Sequence, residues 1–74
     1  MNFKIDQIIK RNGKHYNTIP IGCYFRIQYI LENRLWAELV YKTNNTTIYQ
    51  VGQFYSISSF DCYDIIIKKP EYLS

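Results

Sequence analysis

The residues that could do acid–base, nucleophilic or metal chemistry are few and widely spaced. The chain has one histidine, two cysteines and six acidic residues. His15 lies beside a predicted turn with no serine, cysteine or carboxylate in a motif around it. Together with Cys23 and Cys62 at these wide spacings it does not make a zinc site. We therefore expect a protein that is not an enzyme and that holds no metal and no cofactor.

The acidic residues and the glycines add no catalytic motif. Asp61 and Asp64 are the one close acidic pair, but they flank a predicted turn, where aspartate satisfies backbone groups. Gly13, Gly22 and Gly52 stand apart, so they form no glycine-rich phosphate-binding loop. The chemistry left to this chain is non-covalent binding.

Aromatic and basic side chains are the residues that could bind, by stacking and by charge. The chain has eight Tyr, four Phe and one Trp, and its net charge is +3. That charge permits contact with nucleic acid or with an acidic protein face and demands neither. Lys10, Arg11 and Lys14 come nearest to a basic cluster. We interpret them as a solvated turn, and as a secondary candidate contact for a partner.

Three runs of alternating apolar residues would position these side chains. They cover residues 23–31, 35–41 and 47–51, with polar turns at 32–34 and 43–46 between them. The alternation predicts a three-stranded antiparallel meander. A three-residue first loop places the apolar odd-numbered positions on one face, which becomes the expected core. The expected partners are Leu31 with Leu35, Tyr29 with Ala37, Ile27 with Leu39, Phe25 with Tyr41, Tyr49 with Tyr41, and Val51 with Leu39.

The even-numbered positions of the first two strands form the opposite face. Ile30 is expected opposite Trp36, an apolar pair on the wrong side of the sheet. Arg26 and Glu38 are expected to lie diagonal to each other and could form an ion pair. Trp, Tyr and Arg are the residue types that carry most of the binding energy at interfaces. The alternative is that the Asn-Gly hairpin or the tail folds over Trp36 and buries it. The candidate partner-binding residues are Trp36, Ile30, Tyr24, Arg26, Val40 and Lys42.

The segments that flank the meander predict the remaining elements. Residues 3–10 favour a strand over a helix because the Asn-Gly pair that follows is a hairpin signal. Residues 14–18 would be the return arm of that hairpin. Residues 58–61 predict one tight helical turn, in which serines can cap backbone donors, and residues 63–68 predict the last strand.

This order of elements resembles the Src-homology-3-like (SH3-like) small barrel, which has a long first loop, two tight hairpins and a helical turn before its last strand. Pro-Ile-Gly at 20–22 and Trp-Ala-Glu-Leu at 36–39 are similar to the bacterial and phage members. The resemblance implies one all-β domain over 1–74, with a five-to-six-stranded antiparallel barrel at about 3–68 and a frayed tail at 69–74. An oligonucleotide-binding barrel is the alternative, although it usually needs a helix between its third and fourth strands.

The peptide-binding branch of the SH3-like family matches this chain poorly. Its members carry Ala-Leu-Tyr-Asp-Tyr in the first loop, a Trp-Trp pair at the third strand and a Pro…Tyr in the helical turn. Here the first loop has only His15 and Tyr16, Trp36 stands alone, and the turn reads Ser-Ser-Phe at 58–60. The resemblance therefore concerns the fold and does not extend to proline-rich ligands.

Two functions compete for the even-numbered face. The first is a non-enzymatic module that binds another protein. The Ile-, Asn-, Lys- and Tyr-rich composition fits a low-GC genome, and with it a phage- or mobile-element-borne inhibitor of a host defence protein. The alternative is a small barrel that binds RNA or single-stranded DNA by stacking bases on tyrosines. The modest charge, and Glu38 within the platform, favour a protein partner.

The sequence also predicts a compartment. Residues 1–20 carry charges and no apolar segment of signal-peptide length, and no run reaches the ~18 apolar residues of a membrane helix. We therefore expect a cytoplasmic protein of a bacterial or phage-infected cell. In that reducing compartment Cys23 and Cys62 are expected as thiols, with a disulfide as the alternative.

Overall fold

The computed structural model describes residues 3–14, 19–42 and 48–66, and over these ranges the small domain is all-β, as predicted. Five strands form one antiparallel sheet, and one 3-10 turn is the helical element of the described ranges. No helix in them is long and apolar enough to cross a membrane. The elements are β1 (Ile8–Arg11), β2 (Tyr24–Ile30), β3 (Leu35–Tyr41), β4 (Phe54–Ile57), η1 (Phe60–Cys62) and β5 (Tyr63–Ile66).

The sheet is a single unclosed layer with the order β4-β3-β2-β1-β5. Its two open edges, β4 and β5, are joined by the short connection that contains η1. This tight turn overlaps the one predicted at 58–61 and is closed by a 2.9 Å bond from the Cys62 N–H to the Ser59 carbonyl. The expected serine cap is wrong, because Ser59 makes no side-chain capping bond. The predicted tail at 69–74 and the end of the last predicted strand lie outside the described residues.

β1 begins five residues later than the strand predicted at 3–10. Residues 4–7 instead form a turn, in which the Gln7 N–H donates to the Lys4 carbonyl at 3.2 Å and Asp6 has a φ of 71°. The predicted hairpin arm at 14–18 is not the partner of β1, because β2 and β5 occupy its two edges. Residues 15–18 of that arm lie outside the described ranges.

Two β-bulges shift the β2–β3 register away from the expected one. Ile27 lies opposite Ala37 and Phe25 opposite Leu39, so each of these two β2 residues is paired two positions from its predicted partner. A shift of two keeps side chains on their own face, and all four of these residues are buried as predicted. One bulge lies at Gln28, where β2 has an extra residue, and the other lies on β3 at Val40.

The third strand predicted at 47–51 is wrong. Residues 48–53 are turns and bends, and β4 follows at 54–57 as the partner of β3. Gly52 adopts a φ of 92°, and its N–H donates to the Leu39 carbonyl at 2.8 Å. Val51 is exposed, not in the core, whereas Tyr49 packs against the core. The predicted turn at 43–46 lies outside the described residues.

The core lies on one face of a sheet that curls around Phe25. This fully buried ring lies 6.3 Å from the ring of Tyr55 on β4 and 6.0 Å from that of Tyr63 on β5, centroid to centroid. Each of these edge strands is two strands away from β2. Contact with both edges requires the inner face to be concave. The other buried apolar residues are Ile9, Ile19, Cys23, Ile27, Leu35, Ala37, Leu39, Ile57 and Cys62.

Candidate functional site

The outer face of the sheet is organised by the bulge at Gln28. Ile27 on one side of it faces the core, and Tyr29 on the other side pairs with Trp36. A bulge opposes two residues to one and so redirects the side chain that follows it. The result is that Tyr29, which we predicted in the core, lies on the solvent face and is 58% exposed.

Three aromatic side chains form what we name the outer aromatic patch: Tyr29, Trp36 and Phe54. Trp36 and Phe54 are 38% and 39% exposed, and their ring centroids lie 6.2 Å apart at an interplanar angle of 58°. Trp36 is therefore partly open to solvent. Phe54 was not among the predicted site residues, although the alternation of Phe54-Tyr55-Ser56-Ile57 is a signal that could have found it.

An ion pair borders the outer aromatic patch. Arg26 Nη2 lies 2.7 Å from Glu38 Oε1, and Glu38 is in turn opposite Phe54 on β4. The predicted ion pair of Arg26 with Glu38 is confirmed, but the predicted diagonal placement is wrong, because the two residues lie directly opposite each other. An exposed pair of this kind contributes ~0–1 kcal/mol to stability. Its larger effect is that Arg26 and Glu38 neutralise each other beside the aromatic rings.

Tyr24 does not join this surface. Only 7% of it is exposed, because it lies between Lys10 and Tyr41, its neighbours on β1 and β3. The Lys10 ammonium is 5.7 Å from the Tyr24 ring centroid, and the Tyr41 ring is 5.8 Å from it. The expectation that Tyr24 offers a large contact surface is therefore wrong.

The other predicted patch residues are dispersed. Ile30 is exposed but pairs with Leu35, so its expected position opposite Trp36 is wrong. Val40 is half-buried at the second bulge. Lys42 donates from Nζ to the Tyr49 carbonyl at 3.0 Å. The structure thus brings together Arg26 and Trp36 of the predicted set and adds Tyr29 and Phe54 to them.

The three residues of the predicted basic contact are separated from one another. Arg11 is only 2% exposed, lies opposite Tyr63 and donates to the Lys14 carbonyl at 3.4 Å. Lys10 lies on the outer face over Tyr24, and Lys14 is exposed in the first loop. Burial of Arg11 means that these three cations do not form one basic surface.

A shallow cleft of about 430 Å³ lies beside η1 and β5. Phe3 and Phe60 form one wall, with ring centroids 5.6 Å apart in an edge-to-face arrangement. Asp61 and Asp64 line the rest with Lys14. Asn12 holds this region together, because its amide donates to the Asp61 carbonyl at 3.1 Å and to Asp64 Oδ1 at 2.9 Å. Asp61 takes part through its backbone carbonyl and Asp64 through a bond to a side-chain amide, so neither bond is the expected one from an aspartate carboxylate to a backbone group.

The buried polar groups show no sign of activation. Cys23 and Cys62 are free and buried, and burial raises the pKa of the Cys23 thiol, against smaller opposing effects of Lys42 and Arg11. Burial likewise raises the pKa of the Tyr63 phenol. A buried thiol with a raised pKa is a poor nucleophile. Within the described ranges, no group of three or more His, Cys, Asp or Glu residues could hold a metal ion.

The outer aromatic patch, with its bordering ion pair, is therefore an exposed aromatic surface of the described residues. Comparisons with protein-family models, with curated proteins and with solved structures found no match for this chain.

Proposed function

We propose that the protein is a small non-enzymatic interaction module that binds another protein through the outer aromatic patch. The supporting observation is the bulge at Gln28, which exposes Tyr29 beside Trp36 and Phe54. An aromatic side chain buries more apolar area than most residues, so leaving three of them on the solvent face of a small domain forfeits stability. Exposed aromatic clusters of this kind mark binding surfaces.

The charge distribution favours a protein over a nucleic acid as the partner. Nucleic-acid platforms combine stacked aromatic rings with cations free to meet phosphates. Here Arg26 is paired with Glu38, and Lys42 donates to the Tyr49 carbonyl. Glu38 on β3 lies directly opposite Phe54 on β4. Because Arg26 and Glu38 neutralise each other, this border of the patch offers a phosphate backbone no uncompensated positive charge.

We further propose that the curled sheet is an SH3-like small barrel. The support is the passage from β4 to β5 through residues 58–62. In a flat five-stranded sheet the edge strands would lie ~19 Å apart, at ~4.8 Å per step. A connection of this length that contains a 3-10 turn, which rises only about 2 Å per residue, spans less than that. The contacts of Phe25 with both edge strands require the same curvature.

A co-purification experiment with three variants tests the interaction proposal. Immobilised wild-type protein, Trp36→Ala, Tyr29→Ala and Ile21→Ala are exposed to lysate of the source cell. Ile21 is a matched control because it is as exposed as Tyr29 and lies before β2, at the end of the strand away from the patch. We expect a partner to be lost by the first two variants and kept by the third. Equal retention by all proteins contradicts the proposal.

A salt titration with a generic single-stranded oligonucleotide tests the alternative. Binding that weakens steeply with added salt and that Tyr29→Ala reduces would favour nucleic acid. We expect no such binding at low salt. The two experiments together assign the outer aromatic patch to one class of partner.

A further inference from the structure

β4 is an edge strand with backbone groups that point away from the sheet. In an antiparallel ladder, alternate residues direct their N–H and C=O groups to the same neighbour. The Gln53 carbonyl accepts from the Leu39 N–H at 2.9 Å, so Gln53 faces β3. Tyr55 therefore faces β3 as well, and Phe54 and Ser56 face the open side. No described residue hydrogen-bonds to their backbone groups.

The open edge of β4 adjoins the outer aromatic patch. Phe54 belongs to the patch, and Ser56 lies directly opposite Trp36. Side chains opposite each other across a ladder share a face. A strand added along β4 would therefore place one side chain next to Ser56, on the same face as Trp36. Because serine is small, the indole of Trp36 is within reach of that side chain.

The charges beside this edge favour an acidic ligand. The guanidinium of Arg34 lies 3.4 Å from Ser56 Oγ, at the margin of the patch. Glu38, the acid on the neighbouring strand, is neutralised by Arg26. The whole chain has a net charge of +3. A carboxylate on the added strand would meet Arg34 without a facing negative charge.

We propose that the edge of β4 binds an extended acidic peptide segment of a partner protein, which adds to the sheet as an antiparallel strand. Backbone hydrogen bonds to Phe54 and Ser56 supply affinity, and an apolar side chain against Trp36 with a carboxylate at Arg34 supplies specificity. This is the strand-addition mode of peptide recognition. The inference rests on the proposed function, since it names how the partner reaches the outer aromatic patch.

Ser56→Pro is the variant that separates edge binding from patch binding. Proline lacks the N–H, and the N–H of Ser56 points away from β3, so the β3–β4 ladder keeps its bonds. Ser56→Ala is the matched control, because it retains the N–H, stays small beside Trp36 and, like proline, lacks the hydroxyl that contacts Arg34. Peptides selected from a displayed random library on the wild-type protein serve as the probe. Their affinity is measured by fluorescence anisotropy, alongside the thermal unfolding curve of each variant.

We expect the selected peptides to have apolar residues at alternate positions and to contain Asp or Glu. We expect Ser56→Pro to lower the affinity for these peptides by at least about tenfold. Ser56→Ala should bind as the wild type does. If Ser56→Pro fails to fold, peptides that are N-methylated at alternate backbone positions provide the second measurement. Loss of binding with one set of alternate methyl groups and not with the other supports strand addition.

Three results overturn the inference. A library that yields no binding peptide removes the proposed ligand class. Binding that Trp36→Ala abolishes and Ser56→Pro leaves intact keeps the proposed function and rejects the β4 edge. Self-association of the wild type in sedimentation, reversed by Ser56→Pro, assigns the edge to a second copy of the chain. Failure of the proposed function itself would appear as binding that neither variant changes.

Discussion

Tyr29 and Trp36 face each other across β2 and β3 on the solvent side of the sheet. This relationship exists because Gln28 is bulged, since an unbroken alternation would return Tyr29 to the core face. Opposed aromatic side chains on neighbouring strands stabilise the ladder by roughly 0.2–1 kcal/mol. That gain is smaller than the burial of a tyrosine would provide, and the difference is the basis for assigning the pair to binding.

Truncation of Tyr29 should change stability little. We expect Tyr29→Ala to lower the free energy of unfolding by less than about 1 kcal/mol, because most of the side chain is in water. Tyr55→Ala is the matched control. The Tyr55 ring contacts Phe25 and Tyr49, and its hydroxyl accepts a hydrogen bond from the Gln50 N–H at 2.9 Å. Tyr55→Ala should therefore lower the free energy of unfolding several-fold more than Tyr29→Ala. Urea denaturation measures both, and equal losses would place Tyr29 in the core.

Phe25 is the side chain whose loss should damage the fold most. It is fully buried and contacts rings from both edge strands. Replacing a buried Phe with Ala costs about 3–5 kcal/mol, a large part of the stability of a domain this small. We expect Phe25→Ala to lose its near-ultraviolet circular dichroism and its cooperative thermal transition. Phe54→Ala, which removes a half-exposed ring, should keep both.

Tyr63 should make the protein sensitive to alkali. Burial raises its pKa in the folded state, so its contribution to stability is complete below the unfolded pKa of about 10. It is lost as pH rises from there toward the folded pKa, because the unfolded chain releases the phenolic proton first. We expect unfolding free energies above about pH 10 to fall less steeply in Tyr63→Phe than in the wild type.

The same substitution should be tolerated at neutral pH. The buried Oη of Tyr63 has no hydrogen-bond partner among the described residues, so removing it leaves no described group unpaired. We expect Tyr63→Phe to unfold at neutral pH with a midpoint close to that of the wild type. A large loss there, or identical pH slopes for the two proteins, would contradict this account of Tyr63.

Gly52 is required by its backbone conformation. It has a φ of 92° and nothing within 4 Å of the position where a Cβ would lie, so strain alone should decide the cost of a side chain. Left-handed backbone costs a non-glycine residue roughly 1–2 kcal/mol. We expect Gly52→Ala to lower the free energy of unfolding, measured by chemical denaturation, by about that amount. Gly13→Ala is the control, since a Cβ there meets Ile21 Cδ1 at an ordinary 3.9 Å and no left-handed φ is required.

The two cysteines should be protected thiols. Both are buried and unbridged, and a thiol-reactive chromophore should therefore label them slowly in the native protein and fully in denaturant. The measurement is the number of thiols titrated per chain with and without urea. Rapid native labelling would show that Cys23 and Cys62 are accessible, and failure to label in urea would indicate a disulfide.

In the β2–β3 hairpin, the sequence pattern placed Phe25 and Ile27 on the correct face and placed Tyr29, near the loop, on the wrong one. A single physical reason explains the difference. Alternation correctly places Phe25 and Ile27 inside, because β1 pairs with β2 along this stretch. The pairing with the N-terminal segment ends at Ile27, whose carbonyl accepts from the Asp6 N–H at 2.8 Å. Beyond it, β3 is the one described strand that pairs with β2, and Tyr29 and Ile30 are exposed. Period-two patterning carries no information about where a neighbouring strand stops, so Tyr29 was misplaced.

The strand after β3 was misplaced because two segments fit the pattern equally. Thr47-Ile48-Tyr49-Gln50-Val51 and Phe54-Tyr55-Ser56-Ile57 both alternate, and only tertiary bonds distinguish them. Leu39 bonds to Gly52 and Gln53, which shapes residues 50–53 into the turn that precedes β4. Without the β3–β4 register, the sequence alone does not tell which face of the sheet Phe54 lies on. Of the outer aromatic patch, the sequence therefore predicted Trp36 alone, together with the bordering pair of Arg26 and Glu38.

The pairing of β1 with β5 has a consequence for how the chain folds. Ile8 lies opposite Ile66, so the two ends of the described chain meet in one ladder. Contacts between residues so distant in sequence form late and slow the folding of small domains. We infer that the β2–β3 hairpin forms early with Phe25 half solvated. The Phe25 ring loses its remaining contact with water only when β5 pairs with β1. Folding is therefore a single cooperative step that spans the described chain.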